Sequence, residues 1–480
     1  MIFQRFGLSR LHFVGVGGTG MSGIAEVLLD LGFEVSGCDL ARSEATERLE
    51  RKGAAVHQGH SAGHLAGVDL VVISSAVEDD NPEVRAARGR GITVVRRAEM
   101  LAELMRLKYG VAVAGTHGKT TTTSMVGAVL TDAGLDPTVI VGGRVRALGT
   151  GARLGTSDYL VCEADEFDRS FLRLHPVLAV VTSIDREHLD TYPDLAAIQE
   201  AFVDFASRVP FFGRVILCLD EPNIQTILPR LRDRRVVTYG LSPQAELSAF
   251  DLEPSAAGTR FAVRDSQLGV LGTIELPMAG EHNVRNALAA VGVGLAMRLD
   301  FVAIADALAG FGGVHRRFER LGSWRGAAVV DDYAHHPTEV AATLAAARQA
   351  FPGARVHAVF QPHLFSRTRD QAEGFGRALL GADRAVVLPI YPSRERPIEG
   401  VTAELVIDAA RASGHRDVAP CGDRAEARER LAGDVAPGDV VLTLGAGDVY
   451  KLAEELAAEG AAAAPAESTP AENDHEEVTA

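Results

Sequence analysis

The chain has 480 residues, 47% hydrophobic and 23% charged, the balance of a soluble globular protein with room for about two to four domains. A formal net charge of −16 argues against a nucleic-acid surface, which needs a basic stripe. No apolar run reaches the roughly 18 residues of a membrane helix, so no membrane insertion is expected. Residues 1–10 lack a signal-peptide hydrophobic region. The four cysteines, Cys38, Cys162, Cys218 and Cys421, form no CxxC pair and read as free thiols of a reducing, cytoplasmic compartment.

Along the chain, strand, loop and helix alternate, the pattern of parallel sheets covered by helices on both faces. The first unit runs from strand Leu11–Val16 into Gly17-Gly18-Thr19-Gly20. The second runs from Val111–Ala114 into Gly115-Thr116-His117-Gly118-Lys119-Thr120. A third begins after Arg317 with strand Ala327–Val330, and closes with Val440–Leu444 running into Gly445-Ala446-Gly447-Asp448. Boundaries near 107 and 315 give three domains: 1–107, 108–315 and 316–459. Residues 236–276, rich in Thr, Val and Phe with a turn at 255–258, break the rhythm and predict antiparallel hairpins. Residues 460–480 form an Ala, Pro, Glu and Ser-rich acidic tail, read as disordered.

The Gly115 loop carries the strongest chemical signal. Its glycines let successive amides face a phosphate, and the helix N-terminus adds a favourable partial charge. Lys119 can reach terminal phosphates and the Thr120 hydroxyl can bind Mg²⁺, which marks ATP as a ligand. The loop is a shortened GxxGKT, because Val113 stands where the longer pattern needs glycine. Lysine occurs only at 52, 108, 119 and 451, so its presence here is notable. The first loop, with Gly15, Gly17 and Gly20 as GxGxxG and Asp39 at the end of the next strand, would alone read as a nicotinamide-dinucleotide fingerprint. Any nucleotide diphosphate satisfies the same physics. Two such loops suggest ATP and a nucleotide-tagged substrate.

Residues 14–26, VGVGGTGMSGIAE, resemble the N-terminal signature of the UDP-N-acetylmuramate–L-alanine ligases, the alanine-adding branch of the Mur ligase family. Similar stretches follow in order: GTHGKTTTT from Gly115, EADEFD from Glu163, DREHLDTY from Asp185, GEHNVRNA from Gly280, HRRFE from His315, DDYAHHPTE from Asp331, QPHLFSRT from Gln361 and PIYP from Pro389. The resemblance covers residues 10–455 and implies an α/β fold of three domains. The first would be Rossmann-like, the central one a P-loop ATPase-like parallel sheet with added antiparallel strands, and the C-terminal one Rossmann-like. It implies ATP-dependent ligation of L-alanine to the lactyl carboxylate of UDP-N-acetylmuramate through an acyl phosphate, in peptidoglycan synthesis, with Mg²⁺ (or Mn²⁺) as cofactor. The sequence leaves the oligomeric state open between monomer and dimer.

The resemblance also implies residue roles. UDP-substrate binding falls to Gly15, Gly17, Gly18, Gly20, Asp39 and Ser75. ATP binding falls to residues 115–120 (Gly115, Thr116, His117, Gly118, Lys119, Thr120), with Thr121, Asn283 and Asp332. Glu163 follows the expected strand Asp158–Cys162 and His188 follows Val177–Thr182, so both loops emerge beside the Gly115 loop. With Thr120 they would hold the metal, and Lys119, Glu163, His188 and Arg317 would be catalytic. A loop carboxylate paired with arginine and a core histidine are the plain alternatives for Glu163 and His188. No lysine lies between Lys119 and Lys451, which excludes the carbamoylated lysine of other branches. His336, Arg367, Tyr391 and Arg394 are expected to recognise acceptor and amino-acid carboxylates, since arginine forks match carboxylates.

Overall fold

In the computed structural model, residues 5–463 are described, except 75, 143–149, 188–190 and 394 and the side chain of Thr19. The chain divides into two compact units, residues 1–317 with 345–351, and residues 318–344 with 352–480.

The first unit holds two sheets. Five short strands, Arg10–Val14, Glu34–Asp39, Ala55–Gln58, Leu70–Ile73 and Thr93–Arg96, pair in parallel, with Arg10–Val14 central and the chain winding outward on both sides. The glycine loop follows the central strand, where strand order reverses and ligands bind in such sheets. The second sheet has ten strands. Tyr109–Ala114 lies between Leu178–Val181 and Tyr159–Ala164, all parallel. Residues 178–181 are all buried, as expected of strands covered on both faces. Val236–Gly240 joins this parallel series, which corrects the expected start of the hairpin region. Antiparallel pairing is confined to Leu247–Ser255, Gly258–Asp265 and Gly269–Leu276 at that edge, and to Thr138–Ile140 with Ala152–Arg153 at the other. One apolar core runs through both sheets, from Leu11 and Phe13 to Val314. The Thr19–Asp30 helix contributes: a Cβ on Gly23 would lie 3.1 Å from the Ala152 methyl.

The second unit has a six-stranded sheet, parallel except for the edge strand Glu319–Trp324. Its Ala327–Asp332 strand is two residues longer than expected and carries both aspartates at its end. The last helix, Tyr450–Ala463, continues four residues into the segment expected to be disordered; residues 464–480 lie outside the described residues. All four cysteines are free and buried. Burial pushes the Cys162 thiol up to about 12.

Candidate active site

The Gly115–Lys119 loop is built from the strand ends around it. Thr116 N–H donates to Ser183 O at 3.0 Å, His117 N–H to Ser183 Oγ at 2.8 Å, and Asp185 N–H to Thr116 Oγ1 at 2.9 Å. The Thr182 hydroxyl donates to the His117 carbonyl. Gly115 has φ +133°, and a Cβ there would stand 2.1 Å from Thr182 Oγ1. Gly118, at φ +80°, precedes the Lys119–Asp132 helix, and a Cβ there would meet Asn286 Oδ1 at 2.6 Å. Both positions therefore require glycine. No side chain caps that helix, so its first amides stay directed at the loop.

Lys119 lies folded over the loop, its Nζ 2.8 Å from Gly115 O and 2.9 Å from Glu166 Oε2, with Asp165 Oδ1 at 3.9 Å. Burial alone would lower its pKa; the Glu166 and Asp165 carboxylates outweigh it and raise the ammonium above its ordinary value. Glu166, 1% exposed, went unassigned at the sequence level. The available signal was three acidic residues, 163, 165 and 166, ending a strand that a parallel sheet sets beside the lysine loop. Glu163 lies within the Tyr159–Ala164 strand rather than after it, because pairing with Tyr109–Ala114 extends to Ala164. Its carboxylate accepts from Gly142 N–H at 2.9 Å. Burial raises its pKa, opposed by the Gly142 hydrogen bond, by Thr120 and by Lys119. His188 lies outside the described residues.

Asn283 is 2% exposed. Its amide donates to Ala279 O at 2.8 Å, and its Oδ1 accepts from Asn286 at 3.3 Å. Asn286 Oδ1 in turn accepts from the Thr122 hydroxyl at 3.1 Å. The Glu281–Ala296 helix thus supports the phosphate loop through Asn286.

In the first sheet, Gly15 N–H and Val16 N–H donate to Cys38 O at 2.8 and 3.0 Å, and Gly17 N–H to Asp39 Oδ2 at 2.8 Å. Asp39 Oδ1 accepts from Leu40 N–H. The carboxylate therefore shapes the loop. A Cβ on Gly17 would fall 2.9 Å from Asp39 Oδ2, and one on Gly20 would meet the Arg97 guanidinium at 3.3 Å. Arg97 is a second group that sequence reasoning missed; its signal was an arginine just past a strand end on the loop's own sheet. Ser75 lies outside the described residues.

In the second unit, Asp332 accepts from Phe318 N–H and Ala334 N–H, each at 2.7 Å, and Asp331 from the Thr443 hydroxyl. His336 Nδ1 accepts from Thr338 N–H at 3.3 Å. Tyr391 stacks on His363 with ring centroids 5.9 Å apart, and Arg367 Nη1 lies 3.5 Å from His363 Nδ1. Burial, with His335 and Arg367 close by, pushes His363 down to about 4. In the first unit, just before residue 318, Arg316 sits at φ +59° and is 9% exposed; Arg317 follows it, half-buried. Arg394 lies outside the described residues.

Two strand–glycine–helix loops in one unit, the second with a charge-held lysine, make this a nucleotide-binding α/β protein equipped for phosphoryl chemistry. Residues 10–109 match the Mur ligase family, catalytic domain; residues 113–294 the Mur ligase middle domain; and residues 316–447 the Mur ligase, glutamate ligase domain. The chain belongs to the Mur ligase family. It is similar to UDP-N-acetylmuramate–L-alanine ligases of Salinibacter ruber, 54% identical over 93% of this chain and 94% of the relative, and of a Geobacter species, 52% identical over 94% and 97%. Among solved structures, a UDP-N-acetylmuramate–alanine ligase of Thermotoga maritima aligns with TM-score 0.80 at 28% identity, covering 94% of this chain and 99% of that one. A murein peptide ligase of Psychrobacter arcticus shares the fold, with TM-score 0.68 at 23% identity over 93% and 98%.

Proposed function

We propose that this protein joins L-alanine to the lactyl carboxylate of UDP-N-acetylmuramate, consuming ATP and releasing ADP and phosphate in peptidoglycan synthesis. What carries this reading is near-full-length identity above 50% to alanine-adding ligases, on a chain whose lysine-bearing loop has the geometry to hold ATP phosphates.

In this reading residues 1–107 bind the UDP substrate, 108–315 bind ATP and 316–459 bring the amino acid. The first loop, shaped by Asp39 and faced by Arg97, takes the diphosphate. Gly115 to Thr121 and Lys119 take the ATP phosphates. Lys119 exchanges part of its contact with Glu166 for the γ-phosphate, whose charge it offsets as the acyl phosphate forms. Thr120 and Glu163 fit Mg²⁺: both are hard oxygen donors, Thr120 on the helix that opens at the loop and Glu163 on the strand paired beside the loop's own strand. When bound, the ion would spread the charge building on the transferring phosphoryl group. His188 is the third proposed ligand. Arg317 is assigned to the phosphoryl group, Asn283 and Asp332 to ATP, and His336, Arg367, Tyr391 and Arg394 to the carboxylates. Among the described residues no helix is long and apolar enough to cross a membrane, in keeping with the cytoplasmic setting we assign.

The test is phosphate release from ATP, Mg²⁺ and UDP-N-acetylmuramate with L-alanine, glycine, L-serine or an alanyl tripeptide offered separately. Release with L-alanine is expected. Release with none of them overturns the ligase reading, and release with the tripeptide alone replaces alanine addition by peptide attachment.

A further inference from the structure

On the opposite face of the first sheet from the main core, four side chains of mixed chemistry converge. His12 extends from the central strand, Cys38 from its neighbour, His64 from the Ala62–Leu65 turn, and Glu83 from the first turn of the Pro82–Gly89 helix. One donor atom from each lies within 4.8 Å of all the others. Glu83, His12 and Cys38 are at most 1% exposed. The Cys38 thiol donates to Glu83 Oε2 at 2.8 Å, and His64 Nδ1 lies 2.6 Å from Glu83 Oε1. His12 Nε2, wholly buried, makes no hydrogen bond and faces Glu83 Oε1 at 3.5 Å; its Nδ1 is held by the Ser36 hydroxyl at 2.8 Å. His57 stacks on His64 with centroids 4.2 Å apart and planes 8° apart. His60 Nδ1 stands 3.2 Å from both Cys38 Sγ and Glu83 Oε2.

We propose that His12 Nε2, Cys38 Sγ, His64 Nδ1 and a Glu83 oxygen form a site for a zinc ion, separate from both glycine loops. The donor set is two imidazoles, one thiolate and one carboxylate, which suits Zn²⁺ and not Mg²⁺. Its two negative charges neutralise the ion in a buried setting. Tetrahedral zinc, with bonds of about 2.0–2.3 Å, sets its ligands about 3.3–3.8 Å apart, so the closest pairs open by roughly 1 Å while the four remain together. Second-sphere contacts are in place, since Ser36 orients His12 and His57 orients His64. On binding, the Cys38 S–H bond breaks as the S–Zn bond forms, and the proton passes to solvent. His64 binds through Nδ1 as the neutral tautomer with its proton on Nε2. The Cys38 carbonyl holds Gly15 and Val16, so the ion would brace the strand end that carries the first glycine loop.

The experiment strips full-length protein with a chelator and titrates it with Co²⁺ and then Zn²⁺, in excess Mg²⁺. One Co²⁺ per chain is expected, with tetrahedral d–d absorption and a thiolate-to-cobalt charge-transfer band that Zn²⁺ abolishes. Cys38→Ser should lose that band, although Cys162, Cys218 and Cys421 remain. His64→Asn, altering a side chain near the surface, should weaken Co²⁺ binding by at least about tenfold. Zn²⁺ should raise Tm in the parent and not in Cys38→Ser. No bound ion, a spectrum without the thiolate band, or a Cys38→Ser titration like the parent's overturns the proposal.

Discussion

The two glycine loops of the first unit share one backbone plan and differ in what surrounds it. Each follows the central part of a parallel sheet and opens a helix. At the first loop the nearest carboxylate, Asp39, accepts from a loop amide, and the cation, Arg97, comes from a neighbouring helix. At the second, the cation belongs to the loop itself, and two carboxylates, Glu166 and Asp165, hold it. The first arrangement suits retaining a diphosphate. The second suits a charge that must be met as it develops, because the lysine is preorganised at the helix start that closes the loop.

Replacing the lysine should separate the two loops most sharply. Lys119→Ala is expected to cut phosphate release by at least about 10²–10³-fold, the scale for losing one preorganised donor. UDP-substrate binding, followed by calorimetry, should survive; loss of both would mean that the loops do not divide the labour as proposed. Glu166→Gln probes how Lys119 is positioned. It should lower kcat by up to about 10²-fold through misplacement of the ammonium, and parent-like kcat would show that the ion pair is only structural. At the first loop, Asp39→Ala leaves the Gly17 amide without its acceptor and should raise KM for the UDP substrate about tenfold, the worth of one charged hydrogen bond. KM for ATP should stay as it is; a rise in both would blur the division.

The smallest expected effect lies in the second unit and is one of stability. The His363 imidazole is held down at about 4 against an ordinary 6.5, so between those values the unfolded chain binds the extra proton. Stability then falls as pH drops from about 6.5 towards 4, and is regained as pH rises. His363→Gln should flatten the Tm-versus-pH curve over that window relative to the parent. Curves that run parallel would show that the buried imidazole titrates normally.

Much of this was legible in the sequence because parallel strands buried on both faces appear as short apolar runs, such as Val111–Ala114, ending in glycine. Val440–Leu444 was found the same way, and the run expected at Val177–Thr182 is the strand Leu178–Val181, one residue shorter at each end. The direction of Val236–Gly240 was not legible, since strand composition does not say which neighbour a strand pairs with. Glu163 was placed just past its strand because its charge reads as loop, whereas pairing carries the strand on to Ala164. Glu166 and Arg97 escaped notice for another reason: each acts on a loop distant in the chain, and only the sheet order brings them there.

By itself the sequence determined the α/β class, both glycine loops, the lysine at Lys119 and the family, because each rests on local pattern or on motifs in fixed order. The tertiary structure alone decided that Glu166 holds Lys119, that Asn286 props Gly118 and that Arg97 faces Gly20. It alone gathered His12, Cys38, His64 and Glu83 on one face of a sheet. These are contacts between residues up to 168 positions apart, set by strand order and burial, which no window of neighbouring residues contains.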